Sequence, residues 1–143
     1  MKIKNIFALI TTDKLLECRD FYVKHFGFIV IFESTVYIQL RVTAPNGASY
    51  EIAFMPPNQI FGGDYRERFN GKGLYLTIEV ADAKTAFEKL KSEGVTIIDE
   101  LKNEPWGQNH FLVKDPNGTT VDVSEPTEPT PGWYDQYQIK KKQ

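Results

Sequence analysis

The order of apolar and polar positions along this chain runs through the same cycle twice. Residues 6–10 form a short apolar run that reads as a buried strand. Thr11, Thr12 and Asp13 offer capping side chains for a helix. Leu15, Leu16, Cys18, Phe21, Tyr22 and Phe26 then recur at mixed helical spacing, up to Gly27, which tolerates the left-handed conformation of a helix end. Residues 28–32 predict a second strand, the alternating residues 37–42 a third, and residues 49–55 a fourth. The pattern restarts at Leu74, where Leu74, Leu76, Ile78 and Val80 alternate with Tyr75, Thr77 and Glu79. Residues 81–93 follow as an amphipathic helix with Ala83, Ala86, Phe87 and Leu90 inward and Gly94 as its stop. Strands are expected at 95–98 (with an extension to Leu101 left open), 110–114 and 120–124. The predicted order is β-α-β-β-β, then β-α-β-β-β again.

A repeated phrase reinforces the repeated cycle. Pro45-Asn46-Gly47 and Pro116-Asn117-Gly118 are both turns, with Gly supplying a positive φ and Asn bonding the backbone. Each feeds a strand with a carboxylate four residues after the glycine, Glu51 and Asp122. Strand alternation gives these two residues equivalent places in equivalent modules. The expected organisation is one domain over 1–143, with a first module at 4–55, a connector at 56–73 and a second module at 74–125. The connector is rich in Gly, Asn, Pro and charge, with Ile60, Phe61, Tyr65 and Phe69 as apolar anchors and room for a short helix. The Gly62-Gly63 pair lacks a following Lys-Ser/Thr and reads as a turn rather than a phosphate loop. Residues 126–143 form a Pro-rich tail whose Trp133, Tyr134 and Tyr137 are expected to dock on the domain or a partner subunit.

Composition narrows the function classes. The 41% hydrophobic and 25% charged content is that of a water-soluble globular chain. A formal charge of −2 with no basic stripe gives nucleic-acid binding no electrostatic support, and Lys140-Lys141-Lys142 reads as a solubilising end. No apolar run suits a membrane span or a signal peptide. The single Cys18 has no internal partner, which fits a reducing cytoplasm, and its spacing places it on the inner face of the first helix.

Two segments carry a resemblance: Asp20-Phe21-Tyr22-Val23-Lys24-His25-Phe26-Gly27-Phe28 in the first module, and the run from Trp106-Gly107 through His110-Phe111 to Asp115-Pro116-Asn117-Gly118 in the second. In this order and spacing the chain resembles the glyoxalase/bleomycin-resistance/dioxygenase superfamily, also called vicinal oxygen chelate proteins, and within it the bleomycin-resistance-like branch. The resemblance covers residues 4–125. It implies an α+β fold of two tandem βαβββ modules forming a cupped mixed sheet, with the binding site in the cup. It also implies frequent homodimers, sometimes with modules exchanged.

Metal-using members of the family place a His or Gln on the first strand of each module and a Glu on the last. Carried onto this chain, the last-strand positions are Glu51 and Asp122, and the first-strand positions fall on Phe7 and Tyr75. Phe7 has no donor atom, Tyr75 has no imidazole nitrogen, and Asp122 is shorter than Glu. No metal site and no cofactor are therefore expected. A divalent ion would need His110, on a predicted strand, where the family puts no ligand. His25, beside a helix end, reads as a solvated residue favoured by the helix dipole.

Without a metal, the expected cup is aromatic and partly acidic. Phe7, Tyr37, Arg41, Glu51, Tyr75, Trp106, His110 and Asp122 are the candidate ligand-binding residues, with Gln39, Thr77 and Glu79 on the same strand faces. A desolvated carboxylate needs a partner, and Arg41, Tyr75 or a cationic planar ligand can supply one. Each of these side chains has the plain alternative of core packing or a solvated outer face. The expected function is small-molecule binding, sequestering a cationic or aromatic compound such as an antibiotic. The alternative is a lyase, isomerase or dioxygenase on the same scaffold, or a metal-free isomerase with Glu51 or Asp122 as base.

Overall fold

The computed structural model describes residues 1–58, 60 and 62–137. Phe61 and the Lys140–Lys142 run, both named above, lie outside the described residues. Over the described residues the chain divides into two compact units, one of 1–74 with 115–119, the other of 75–114 with 120–137.

The first unit holds β1 (Ala8–Thr11), α1 (Leu15–Phe26), β2 (Ile29–Glu33), β3 (Ile38–Thr43) and β4 (Ser49–Met55). Its four-stranded sheet has the order β1-β4-β3-β2, with β1 parallel to β4 and the other pairs antiparallel. Strand alternation sends Ile38, Leu40, Ile52 and Phe54 to one face, where they are buried with Cys18, Phe21 and Tyr22 of α1. The Tyr22 ring stacks on Phe54 at 5.6 Å and meets Phe28 edge-on at 5.7 Å, arrangements that aromatic quadrupoles favour. Gly27 closes α1 with φ +72°, and its N–H reaches the Tyr22 carbonyl. The expected cap is different in detail. α1 has no side-chain cap, and Thr12 instead accepts from the Lys14 N–H at 3.0 Å. In the connector, Asp64–Arg66 forms a single 3-10 turn.

The turn of residues 115–119 packs as part of this first unit. Asp115 is buried, and its Oδ1 accepts from the Asn117 and Thr119 N–H groups, both at 2.9 Å. Its Oδ2 accepts from the Tyr22 hydroxyl at 2.7 Å. Burial, and next the Asp115 charge, hold the Tyr22 phenol protonated well above its ordinary 10.0.

The second unit holds β5 (Tyr75–Glu79), α2 (Ala83–Ser92), β6 (Ile97–Glu104), β7 (Gln108–Lys114) and β8 (Thr120–Pro126). Its sheet order, β5-β8-β7-β6, repeats the first with the same parallel and antiparallel pairs. Phe111, Val113, Val121 and Val123 are buried with Leu90 and Ala83 of α2, and Phe87 meets Phe111 edge-on at 5.2 Å. Asp82 caps α2 by accepting from the Thr85 N–H, and that backbone hydrogen bond holds its carboxyl below the usual range. β6 runs on to Glu104, past the extension to Leu101 left open by the sequence, with shifts in its pairing with β7 that absorb extra residues.

Candidate functional site

Each sheet turns one face to its helix and leaves a polar face opposite, and the candidate residues gather on these polar faces. On the first sheet, Arg41 pairs with Glu51 in the β3–β4 ladder, so both side chains project to the same side. Gln39 donates to Glu51 Oε1, and Asn5 donates to Oε2 at 3.0 Å. Arg41 Nη2 is 3.4 Å from Oε2. The Tyr37 hydroxyl donates to Gln39 Oε1 at 2.8 Å and completes the chain. Desolvation acts to raise the Glu51 carboxyl, but the hydrogen bonds from Gln39 and Asn5 and the Arg41 charge outweigh it and hold the group below its ordinary value. Desolvation, then the Glu51 charge, raises the Tyr37 phenol. Ala8 pairs with Ile52, so Phe7, one residue earlier, lies at the level of Glu51.

On the second sheet the parallel β5–β8 register pairs Thr77, not Tyr75, with Asp122. Tyr75 pairs with Thr120 and is 63% exposed. The position equivalent to Phe7 is therefore Thr77. It lies two residues beyond the Tyr75 that the resemblance implies, a slide that keeps the strand face and leaves the apolar pattern unchanged. Asp122 is buried and accepts from Gln108 Nε2 at 2.8 Å and from the Thr77 hydroxyl at 3.2 Å, both through Oδ2. Its Oδ1 is 2.7 Å from His110 Nδ1. His110 Nε2 lies 3.3 Å from Glu104 Oε1, which is also 3.4 Å from Lys102 Nζ. Lys102 is in turn held by Asp99 at 3.0 Å. Gln108 also donates to the Ser124 hydroxyl at 2.8 Å.

The turn between β6 and β7 carries the aromatic part of this face. Trp106 donates its indole N–H to Gln108 Oε1 at 2.9 Å and meets the His110 ring edge-on at 6.3 Å. The C-terminal tail docks on this turn, as the expectation for its rings allowed. Thr127 N–H donates to the Gly107 carbonyl, Thr130 N–H to Pro105, and the Tyr134 hydroxyl to the Trp106 carbonyl. Trp133 packs against Trp106 at 5.8 Å. Gly107 has φ +105°, and a Cβ there would stand 2.7 Å from the Thr127 carbonyl oxygen, so only glycine lets the tail lie this close.

The residues present do not fit the four-ligand metal set implied by the resemblance. Phe7 offers no donor atom, the Thr77 hydroxyl donates to Asp122, and both oxygens of Glu51 and of Asp122 already accept hydrogen bonds. Among the described residues no group of three or more His, Cys, Asp or Glu side chains is arranged to hold an ion. Cys18 is fully buried, and burial pushes its thiol up to about 12, which leaves it no nucleophilic thiolate at neutral pH.

Asn5, Glu104, Gln108 and Ser124 take part in these networks without having been singled out in the sequence. Glu104 was hidden because β6 was expected to end before it, and Asn5 because it precedes the first strand. A separate groove of about 580 Å³ lies in the first unit, lined by Leu9, Thr11, Tyr65, Arg68, Phe69 and Leu74 among others, and contains none of the eight candidate residues.

No curated protein matches the chain by sequence. Solved structures share its fold at low identity. A superfamily member from Sphaerobacter thermophilus is 24% identical, with a TM-score of 0.66 over 86% of this chain and 98% of its own. TnmS3, an antibiotic binding protein from Streptomyces sp. CB03234, is 23% identical, with a TM-score of 0.63 over 89% of this chain and 99% of its own. A virulence protein from Salmonella typhimurium is 15% identical, with a TM-score of 0.69 over 89% of this chain and 100% of its own. A family profile matches residues 5–123, and with the doubled βαβββ topology it shows that the chain belongs to the Glyoxalase/Bleomycin resistance protein/Dioxygenase superfamily.

Proposed function

We propose that this protein binds a small molecule and sequesters it without converting it, the ligand being a planar cationic or aromatic compound of the kind exemplified by antibiotics. One observation carries the reading. The polar face of the second sheet joins an indole, Trp106 at 38% exposed, to three carboxylates, Asp99, Glu104 and Asp122, with Lys102 as the ammonium among them. Such a face attracts a cation by charge and a flat ring by stacking. Tyr75 on the same sheet is proposed as a further ligand contact, and Phe7, Tyr37, Arg41 and Glu51 as the ligand-contacting residues of the first sheet's own polar face. The likeness to an antibiotic binding protein supports the ligand class. A homodimer belongs to the same proposal.

The test is a fluorescence titration with N-methylquinolinium. The chain has two tryptophans, so Trp106→Phe leaves Trp133 as the internal control. Quenching in wild type that largely disappears in Trp106→Phe is the expected result. Equal quenching in both proteins removes Trp106 from the site.

A metal-free isomerase is the second reading. It is favoured by His110, whose ring is oriented by Asp122 at 2.7 Å and faces Glu104 at 3.3 Å, a geometry suited to proton transfer. Solvent deuterium entering an α-hydroxyketone incubated with the protein would support it over sequestration.

A further inference from the structure

Glu51, Asp122 and Glu104 stand on the polar faces, and their oxygens differ in what they already hold. Both oxygens of Glu51 are engaged, Oε1 by Gln39 and Oε2 by Asn5 and Arg41. Both oxygens of Asp122 are engaged, Oδ1 by His110 and Oδ2 by Gln108 and Thr77. Glu104 is different. Its two contacts, to His110 at 3.3 Å and Lys102 at 3.4 Å, fall on the same oxygen, Oε1, and both are long. Oε2 accepts nothing among the described residues, and it is not among the fully buried polar atoms left without a partner, so on this largely buried side chain it keeps some contact with solvent. A carboxylate saturated by short hydrogen bonds must lose them to receive a ligand cation. One with an open oxygen gains a partner at no such loss.

Glu104 is also the carboxylate of the turn that carries the indole. It opens the tight turn Glu104-Pro105-Trp106-Gly107, closed by the Gly107 N–H donating to the Glu104 carbonyl at 3.1 Å. The Trp106 N–H is committed to Gln108, so what Trp106 offers a ligand is its ring surface rather than a donor. Lys102 already shows what such a site accepts. Its ammonium sits against Glu104 while its shorter bond is to Asp99.

We propose that Glu104, rather than Asp122 or Glu51, is the cation-recognising carboxylate of this protein, acting with the Trp106 ring on ligands that carry a positive charge within or beside a flat aromatic system. Lys102, on the other oxygen, is the resident cation whose charge competes with such a ligand. The inference rests on the small-molecule-binding reading above and deepens it.

The experiment compares N-methylquinolinium with its neutral isostere 1-methylnaphthalene, by titration calorimetry on the full chain. Wild type is expected to prefer the cation by about fivefold, the upper scale of one solvent-accessible ion pair. Glu104→Gln keeps the shape and should abolish that preference while sparing the neutral compound. Lys102→Met removes the resident ammonium and should tighten the cation severalfold. Glu100→Gln, an exposed residue of the same strand, controls for net charge. Retained cation preference in Glu104→Gln, no gain in Lys102→Met, or equal loss in Glu100→Gln overturns the role of Glu104 and leaves the binding reading standing. A wild type that binds neither compound overturns the binding reading, and this inference with it.

Discussion

At the scale of single residues, the polar faces work by satisfying their carboxylates. Glu51 is the clearest case, because its carboxyl is held below the ordinary 4.5 by Gln39, Asn5 and Arg41 against the pull of desolvation. A depressed folded value means that the charged form is favoured by folding. The resulting stabilisation is complete above 4.5 and is lost as the pH falls below it, through the lowered folded value. Glu51→Gln should therefore be less stable than wild type at neutral pH, with the gap closing in acid. Thermal melts of both proteins across that pH range would show it, and a gap independent of pH would mean that packing rather than charge is at stake. Sequence reading reached Glu51 and Asp122 through the repeated Pro-Asn-Gly turn. It missed Glu104 and Gln108, because a carboxylate or amide at a strand end has no pattern that separates it from a solvated one.

At the scale of elements, the turn of residues 115–119 shows how a motif does structural work. Asp115 organises the turn through the Asn117 and Thr119 N–H groups, and its remaining oxygen accepts from Tyr22 on α1. Tyr22→Phe deletes one hydroxyl and leaves a buried carboxylate short of a donor, which costs about 1.5–3 kcal/mol for a hydrogen bond to a charged group. Urea unfolding should show a lower midpoint with an unchanged slope, and a loss of only a few tenths would mean that water replaces the hydroxyl. The elements themselves were legible from periodicity, including both helices and their glycine stops. Boundaries were less so. β6 and β7 run further than their apolar patterns suggest, since in the Glu104–Gln108 stretch the ladder rather than side-chain burial holds the strands together. The register between β5 and β8 was also out of reach, because sliding by two residues preserves every inward and outward side chain.

At the scale of the whole molecule, the equivalent outer strands of the two sheets differ in character. β6 carries Asp99, Glu100, Lys102 and Glu104, the charges that protect a sheet edge. β2, at the same place in the first sheet, leaves Ile29, Val30 and Phe32 exposed. An unguarded apolar edge fits the proposed homodimer. Light scattering should give twice the chain mass for wild type and the chain mass for Phe32→Glu, whereas a monomeric wild type would remove the dimer from the proposal. Among the described residues no helix is long and apolar enough to cross a membrane.

The amino-acid sequence by itself determined the doubled β-α-β-β-β order, the helix ends, and the equivalence of Glu51 and Asp122. All three rest on local chemistry: the period of apolar residues, the positive φ that glycine allows, and the side-chain bonding of Asn in turns. Only the tertiary structure decided that Thr77 stands beside Asp122, that the tail docks on the Trp106 turn, and that Glu104 keeps an oxygen open where the other two carboxylates do not. The first two are properties of residues far apart in the chain, and the third of which donors the strand pairings bring to each carboxylate. Hydrogen-bond saturation depends on which distant donors the ladders bring within 3 Å or so, a quantity no local pattern encodes.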